Sequence, residues 1–224
     1  MFITFEGIEG SGKTSLMPRV AAHLEQQGRR CLITREPGGT PIGRQIRAIL
    51  LDPNSGDLDP GAELLLYTAD RVQHVRTVIA PAIADGRVVL CDRYVDATRV
   101  YQGLARGLGL DSVDRLHQAA VGGMLPDLTV LLDLDPEIGL ARAWRQVKHG
   151  ERSGEETRFE KEALHFHRRV RDGYRLLAAG APERFCVIDA AAAADAVAQD
   201  VIAAIDRWMA KRPSDSGAAT TGRD

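Results

Sequence analysis

The sequence predicts a doubly wound α/β fold, a parallel five-stranded sheet flanked by helices. Three observations carry that prediction. Short runs that are apolar on both faces alternate with stretches of helical spacing, the pattern of a parallel sheet covered on both sides. The first run passes through a glycine-rich segment straight into a helical one. The 224 residues are 44% apolar and 27% charged, which suits one ordinary domain with a full core.

Phe2–Glu6 is the first strand, ended by Gly7. Lys13–Gln27 carries Leu16, Val20 and Leu24 at helical spacing and stops at Gly28. Cys31–Arg35 reads as the second strand, followed by the turn Glu36-Pro37-Gly38-Gly39 and a helix over Pro41–Leu51. A loop rich in Pro, Gly and Asp (Pro53–Pro60) precedes a long helix, Ala62–Ala84, bent or broken near Pro81. Val88–Cys91 is the third strand, and helical segments follow at Asp96–Ala105 and Asp111–Val121. Leu128–Asp133 is a continuous apolar strand, and Pro136–Val147 a helix with proline at its start. After the polar stretch His149–Thr157 come a helix over Phe159–Leu177, a strand at Phe185–Ile188 and a helix at Ala194–Met209. Residues 1–211 are expected to form one domain with a lid at about 146–158. The Pro/Ser/Gly/Thr/Ala-rich tail at 212–224 is expected to be disordered.

Charge excludes some classes of partner. Twenty-nine basic and 31 acidic residues leave a net charge of -2, so no global field favours nucleic acid or an anionic membrane. No apolar stretch approaches the roughly 18 residues of a membrane span, and residues 1–6 lack a signal-peptide pattern. The expected location is cytoplasmic. Cys31, Cys91 and Cys186 are odd in number and lie far apart in apolar runs, the distribution of buried thiols rather than of a zinc or disulfide framework. Four lysines stand against 25 arginines, a bias that suits phosphate chemistry.

Chemistry enters with Gly7-Ile8-Glu9-Gly10-Ser11-Gly12-Lys13-Thr14, a full GxxxxGK[ST] match between a strand and a helix. Its glycines let backbone N–H groups converge on phosphate oxygens at a helix N-terminus. Lys13 reaches the β/γ-phosphates, and Thr14 can hold Mg2+. This is a nucleoside-triphosphate site of the phosphate-loop NTPase type. No NKxD segment is present to read guanine.

Three further features narrow the class, each with a plainer alternative. Asp92-Arg93 ends a buried strand, where the carboxylate can face a metal shell and the guanidinium a phosphate; a surface salt pair is the alternative. Tyr67 and Arg71, four apart on one helix face, can stack a base and donate to its carbonyl; a core tyrosine beside an exposed arginine is the alternative. Arg142, Arg145, Arg152 and Arg158 surround the polar stretch, where a closing lid would bring them to the triphosphate; a solvated helix face is the alternative.

Together the stretches FEGIEGSGKT (5–14), TREPGGT (34–40), Tyr67-Thr68-Ala69-Asp70-Arg71, CDRY (91–94) with Tyr101-Gln102, and PDLTVLLD (126–133) resemble the thymidylate kinase family, collinearly from residue 2 to about 209. The resemblance implies transfer of the γ-phosphoryl group of ATP to dTMP with Mg2+, and a homodimer. It implies that Gly7–Thr14 hold ATP and that Thr14 and Asp92 attend the metal. Glu9 meets the acceptor's 3′-hydroxyl and Arg93 its 5′-phosphate. Tyr67, where the family usually has phenylalanine, stacks on thymine, and Arg71 donates to O4. Glu36 and Arg47 line the acceptor pocket, Thr98 and Gln102 lie near the base, and Tyr101 crowds the 2′ carbon. Arg158 is the first choice for a catalytic lid arginine beside Lys13 and Arg93, and Arg152 the second. Ala97 stands where many relatives have serine. The acceptor phosphate is its own nucleophile, so no general base is needed, and no histidine falls in an evident site. The rival readings are a deoxynucleoside kinase, for which Glu36 is the only candidate base, a nucleotide-dependent switch, and an inactive relative.

Overall fold

The computed structural model describes residues 1–150 and 154–211. The lid candidate Arg152 and the tail at 212–224 lie outside the described residues. Five parallel strands, β1 (Phe2–Glu6), β2 (Cys31–Arg35), β3 (Val88–Asp92), β4 (Leu128–Asp133) and β5 (Phe185–Asp189), stand in the order β2-β3-β1-β4-β5. β1 is central, with Thr4 opposite Cys91 on one side and Thr129 on the other. Its residues alternate between two layers of core. Ile3 and Phe5 pack with Val88 and Leu90, while Phe2 packs with Val89 and Cys91.

Helices cover both faces. Only the β1-to-β2 crossover runs leftward along the sheet, so right-handed connection puts its helix α1 (Lys13–Gln26) on the face opposite the others. There α1 packs on the last helix, α9 (Ala194–Ala210). The other face carries α2 (Pro41–Leu51) and α3 (Pro60–His74), the short α4 (Ala80–Ala84) and α5 (Val95–Thr98), then α6 (Leu110–Val121) and α8 (Leu164–Gly180). α7 (Pro136–Lys148) leads from β4 toward the lid. Side-chain caps at Thr40, Asp59 and Asp135, each followed by proline, start α2, α3 and α7 sharply.

The long helix is broken near Pro81, as expected: a wide π-turn at Val75–Ile79 absorbs the missing donor and the ring before the helix resumes. Three expectations need correction. A second π-turn, Arg99–Ala105, continues α5 where an uninterrupted helix was expected. α8 starts at Leu164 rather than Phe159, because the Arg158 N–H bonds to Leu51 O across to α2 and leaves residues 157–163 in turns. Of the three cysteines only Cys91 is buried; Cys31 and Cys186 lie half-exposed on the outer strands β2 and β5.

Candidate active site

The carboxyl ends of β1 and β3 open into a cavity of about 590 Å3. These neighbouring strands send their chains to opposite sides of the sheet, the place where doubly wound folds bind ligands. The phosphate loop forms one wall. Gly7, Gly10 and Gly12 have φ of 134, 70 and 95°, which only glycine adopts freely. A Cβ on Gly10 would also lie 2.0 Å from Gly139 O. Lys13 folds back over this loop, donating to Gly7 O (3.0 Å), Ile8 O (2.9 Å) and Ser11 Oγ (3.2 Å). Burial, with Arg93 nearby, lowers its pKa to about 8. A bound phosphate would replace those carbonyls as acceptor and favour the charged form.

Thr14 Oγ1 donates to Asp92 Oδ2 at 2.9 Å, so the two expected metal residues are adjacent. A hydroxyl and a carboxylate beside a phosphate cradle suit a hard cation that takes its remaining oxygens from water and phosphate. The next residue, Arg93, has φ 67° and is the only non-glycine residue described with positive φ. That corner turns its guanidinium away from Asp92, onto Glu9 Oε1 (2.9 Å) and the Tyr174 hydroxyl (3.2 Å), and over the Tyr101 ring. Tyr101 donates to the same Glu9 oxygen at 2.7 Å. Burial opposes ionisation of Glu9, but Arg93, the His167 ring and Lys13 outweigh it and hold its pKa well below the usual carboxylate range.

The opposite wall comes from the β2 turn, α3 and α5 with its π-turn. Arg71 Nε donates to Glu36 Oε2 at 2.9 Å, and Arg71 Nη2 to Thr98 Oγ1 at 2.9 Å. His74 Nδ1 lies 3.0 Å from Glu36 Oε1. Arg47 grips Glu156 with two bonds, 2.9 and 2.7 Å, closing the wall toward the lid. Tyr67, Ala97 and Gln102 complete it. The structure thus brings Glu9, Lys13, Thr14, Glu36, Arg47, Tyr67, Arg71, Asp92, Arg93, Thr98, Tyr101 and Gln102 to one cavity.

Arg158 is not among them. Its guanidinium is buried on Glu63 (2.6 Å) and the Leu50 carbonyl, stacked on the Phe159 ring. Arg142 is also occupied elsewhere, on the carbonyls of Ala190 and Ala191. Sequence reasoning missed the layer behind the wall. Tyr174 passes the Arg93 bond on to Glu6 Oε2 at 2.7 Å. Glu6 is fully buried, and that burial raises its pKa to about 7. His74 and His167, expected nowhere near the site, stand directly behind its carboxylates, His167 Nδ1 3.4 Å from Glu9 Oε2. The one sequence signal was a glutamate ending a strand of otherwise buried residues, Glu6; nothing local marked Tyr174 or His167.

Residues 5–201 match the family model described as thymidylate kinase. The chain belongs to the thymidylate kinase family. It is 54% identical over 207 residues to the thymidylate kinase of Desulfosudis oleivorans, covering 92% of this chain and 97% of that protein. It is 54% identical over 209 residues to that of Solidesulfovibrio magneticus, covering 93% and 100%. The crystal structure of thymidylate kinase from Ehrlichia chaffeensis superposes with a TM-score of 0.73 at 30% identity, covering 92% of this chain and 98% of that one. The fold is that of the family, as the sequence had indicated. No described helix is long and apolar enough to cross a membrane.

Proposed function

We propose that this chain transfers the γ-phosphoryl group of ATP to dTMP, giving ADP and dTDP for dTTP synthesis. The observation that carries the reading is a single cavity with two unlike walls. One is a phosphate loop with its lysine, the other a buried donor array around Arg71, and Arg93 sits between them. Family membership supports both the donor and the acceptor.

The acceptor phosphate has a second pKa of about 6 and is largely ionised at neutral pH, so it attacks without a general base. The task of the protein is to bring two anions together in line. Lys13 holds the β/γ-phosphates of the donor, with the loop N–H groups around them. Arg93 holds the acceptor phosphate, and its Glu9 and Tyr174 partners fix the guanidinium in advance. Thr14 and Asp92 would hold Mg2+, which would supply positive charge to offset that of the phosphates. Tyr67 covers the base, Arg71 donates to its edge, and Tyr101 crowds the 2′ position. Glu36 and Arg47 shape the pocket, and Thr98 and Gln102 finish the base wall. Arg152 and Arg158 are the lid cations of this reading; as it stands Arg158 clamps the lid end to α3, and reaching the phosphates requires that clamp to open. Residues 1–211 act as one kinase unit with a lid at 146–158, in the cytoplasm and as a homodimer, with no nucleic-acid or membrane partner.

The test is an ATP-coupled assay over a panel of nucleosides and nucleoside monophosphates. The expected result is rapid use of dTMP and none of thymidine. Preferential phosphorylation of a nucleoside would move the assignment to a deoxynucleoside kinase with Glu36 as base.

A further inference from the structure

Glu63 lies on α3, fully buried, one helical turn before Tyr67 and outside the cavity wall. The proposed transfer makes no use of it. Its carboxylate nevertheless gathers three donors: Gln102 Nε2 on Oε1 at 2.6 Å, Arg158 Nη2 on Oε2 at 2.6 Å, and Arg106 Nη2 at 3.5 Å from Oε2. A carboxylate flanked by two guanidinium groups has only acceptor positions to offer. Gln102 must therefore turn its NH2 toward Glu63, which leaves its carbonyl oxygen for the cavity. Arg71, on the same wall, can only donate. Two of its nitrogens are engaged on Glu36 and Thr98, and among the described residues Nη1 has no partner. Thr98 and Gln102 are about one turn apart, so the donor held at Thr98 and the acceptor at Gln102 stand side by side.

We propose that Glu63 is a specificity-determining positioning residue: by fixing the amide of Gln102, it commits the wall to a base edge with a carbonyl beside a ring N–H. Thymine presents that edge. Cytosine presents an amino group beside a bare ring nitrogen, so donor would face donor and lone pair face lone pair. An unrestrained glutamine could turn its amide, accepting from the ring N–H of thymine or donating to the bare ring nitrogen of cytosine. Glu63 removes that freedom, so rejection of cytosine rests on a residue that never touches the base. The inference deepens the dTMP reading and rests on it.

The test compares kcat/KM for dTMP and dCMP, at high enzyme concentration, in wild type, E63Q, E63D, Q102A and E63Q/Q102A, with a melting temperature for each. E63Q keeps shape but adds a donor, so Gln102 can present either end. E63D keeps the charge for both arginines but withdraws the carboxylate from Gln102. Each is expected to lower the dTMP/dCMP ratio about tenfold or more, because an orienting hydrogen bond is what makes such a site selective. The double variant should match Q102A, since Glu63 acts through Gln102. A purely structural Glu63 would lower both nucleotides equally, and an unchanged ratio in E63Q and E63D overturns the inference while leaving dTMP as substrate. Additive effects in the double variant overturn it too. A wild type that uses neither nucleotide overturns the inference and the earlier reading together.

Discussion

The two walls of the cavity are built from different materials. The donor wall is backbone: glycines in left-handed conformations, a helix N-terminus, and one lysine resting on carbonyls of its own loop. The acceptor wall is side chain: Glu36, Arg71, Thr98 and Gln102, backed by Glu63, held by bonds of 2.6 to 2.9 Å and almost wholly buried. Phosphate is recognised by many equivalent N–H groups, so a loop shape suffices. A base edge is recognised by donors and acceptors in a fixed order, and each must be prevented from turning. The contrast shows why one wall is legible as a motif and the other is not.

Breaking the donor wall should give the largest effect. Lys13→Ala is expected to lower kcat roughly 10³-fold, by analogy with other phosphoryl-transfer cations. Its melting temperature should stay close to wild type, because the lysine rests on loop carbonyls and anchors no core. Near-normal turnover would remove the phosphate-loop assignment.

Breaking the acceptor wall should act on one substrate. For Arg71→Ala we expect KM for dTMP to rise on the order of 10²-fold, with KM for ATP little changed. Stability should fall by about 3 kcal/mol, since Glu36 loses the guanidinium it is buried against. Equal losses for both nucleotides would mean that the walls are not independent.

A smaller effect sharpens the contrast at the layer behind the wall. The folded pKa of Glu6, about 7, is raised from 4.5 by burial. The native state therefore binds the proton more tightly, and stability from this group is fully present below pH 4.5 and lost as pH rises toward 7. Denaturant titrations between pH 4.5 and 7.5 should show wild type losing stability relative to Glu6→Gln, by a few kcal/mol at most. Parallel curves would show that Glu6 does not titrate in that window.

The parallel five-stranded sheet and the phosphate loop were readable from periodicity and spacing, because short apolar runs between helices point to one layered architecture; the strand order β2-β3-β1-β4-β5 was not. The acceptor wall was readable only as resemblance. Tyr67 and Arg71 share a helix face, but nothing in their spacing reveals that Arg71 is buried on Glu36, 35 positions earlier. The resting place of Arg158 on Glu63 was unreadable for a related reason. A lid arginine that serves phosphate and one that locks onto a buried glutamate look alike in sequence, and only the 95-residue separation closed by folding tells them apart. Tyr174 and Glu6, 168 positions apart, carried no pairwise signal at all.

Arg93 carries a lesson for anyone rebuilding such a site. With ordinary extended backbone, consecutive residues at a strand end point to opposite faces of the sheet. The left-handed φ of 67° at this one arginine instead delivers Asp92 to Thr14 and Arg93 to Glu9 within the same cavity. Grafting the Asp-Arg dipeptide onto another strand would transplant the charges without their directions. The portable unit is the corner, and a scaffold that cannot host a strained non-glycine residue there will not reproduce the pairing.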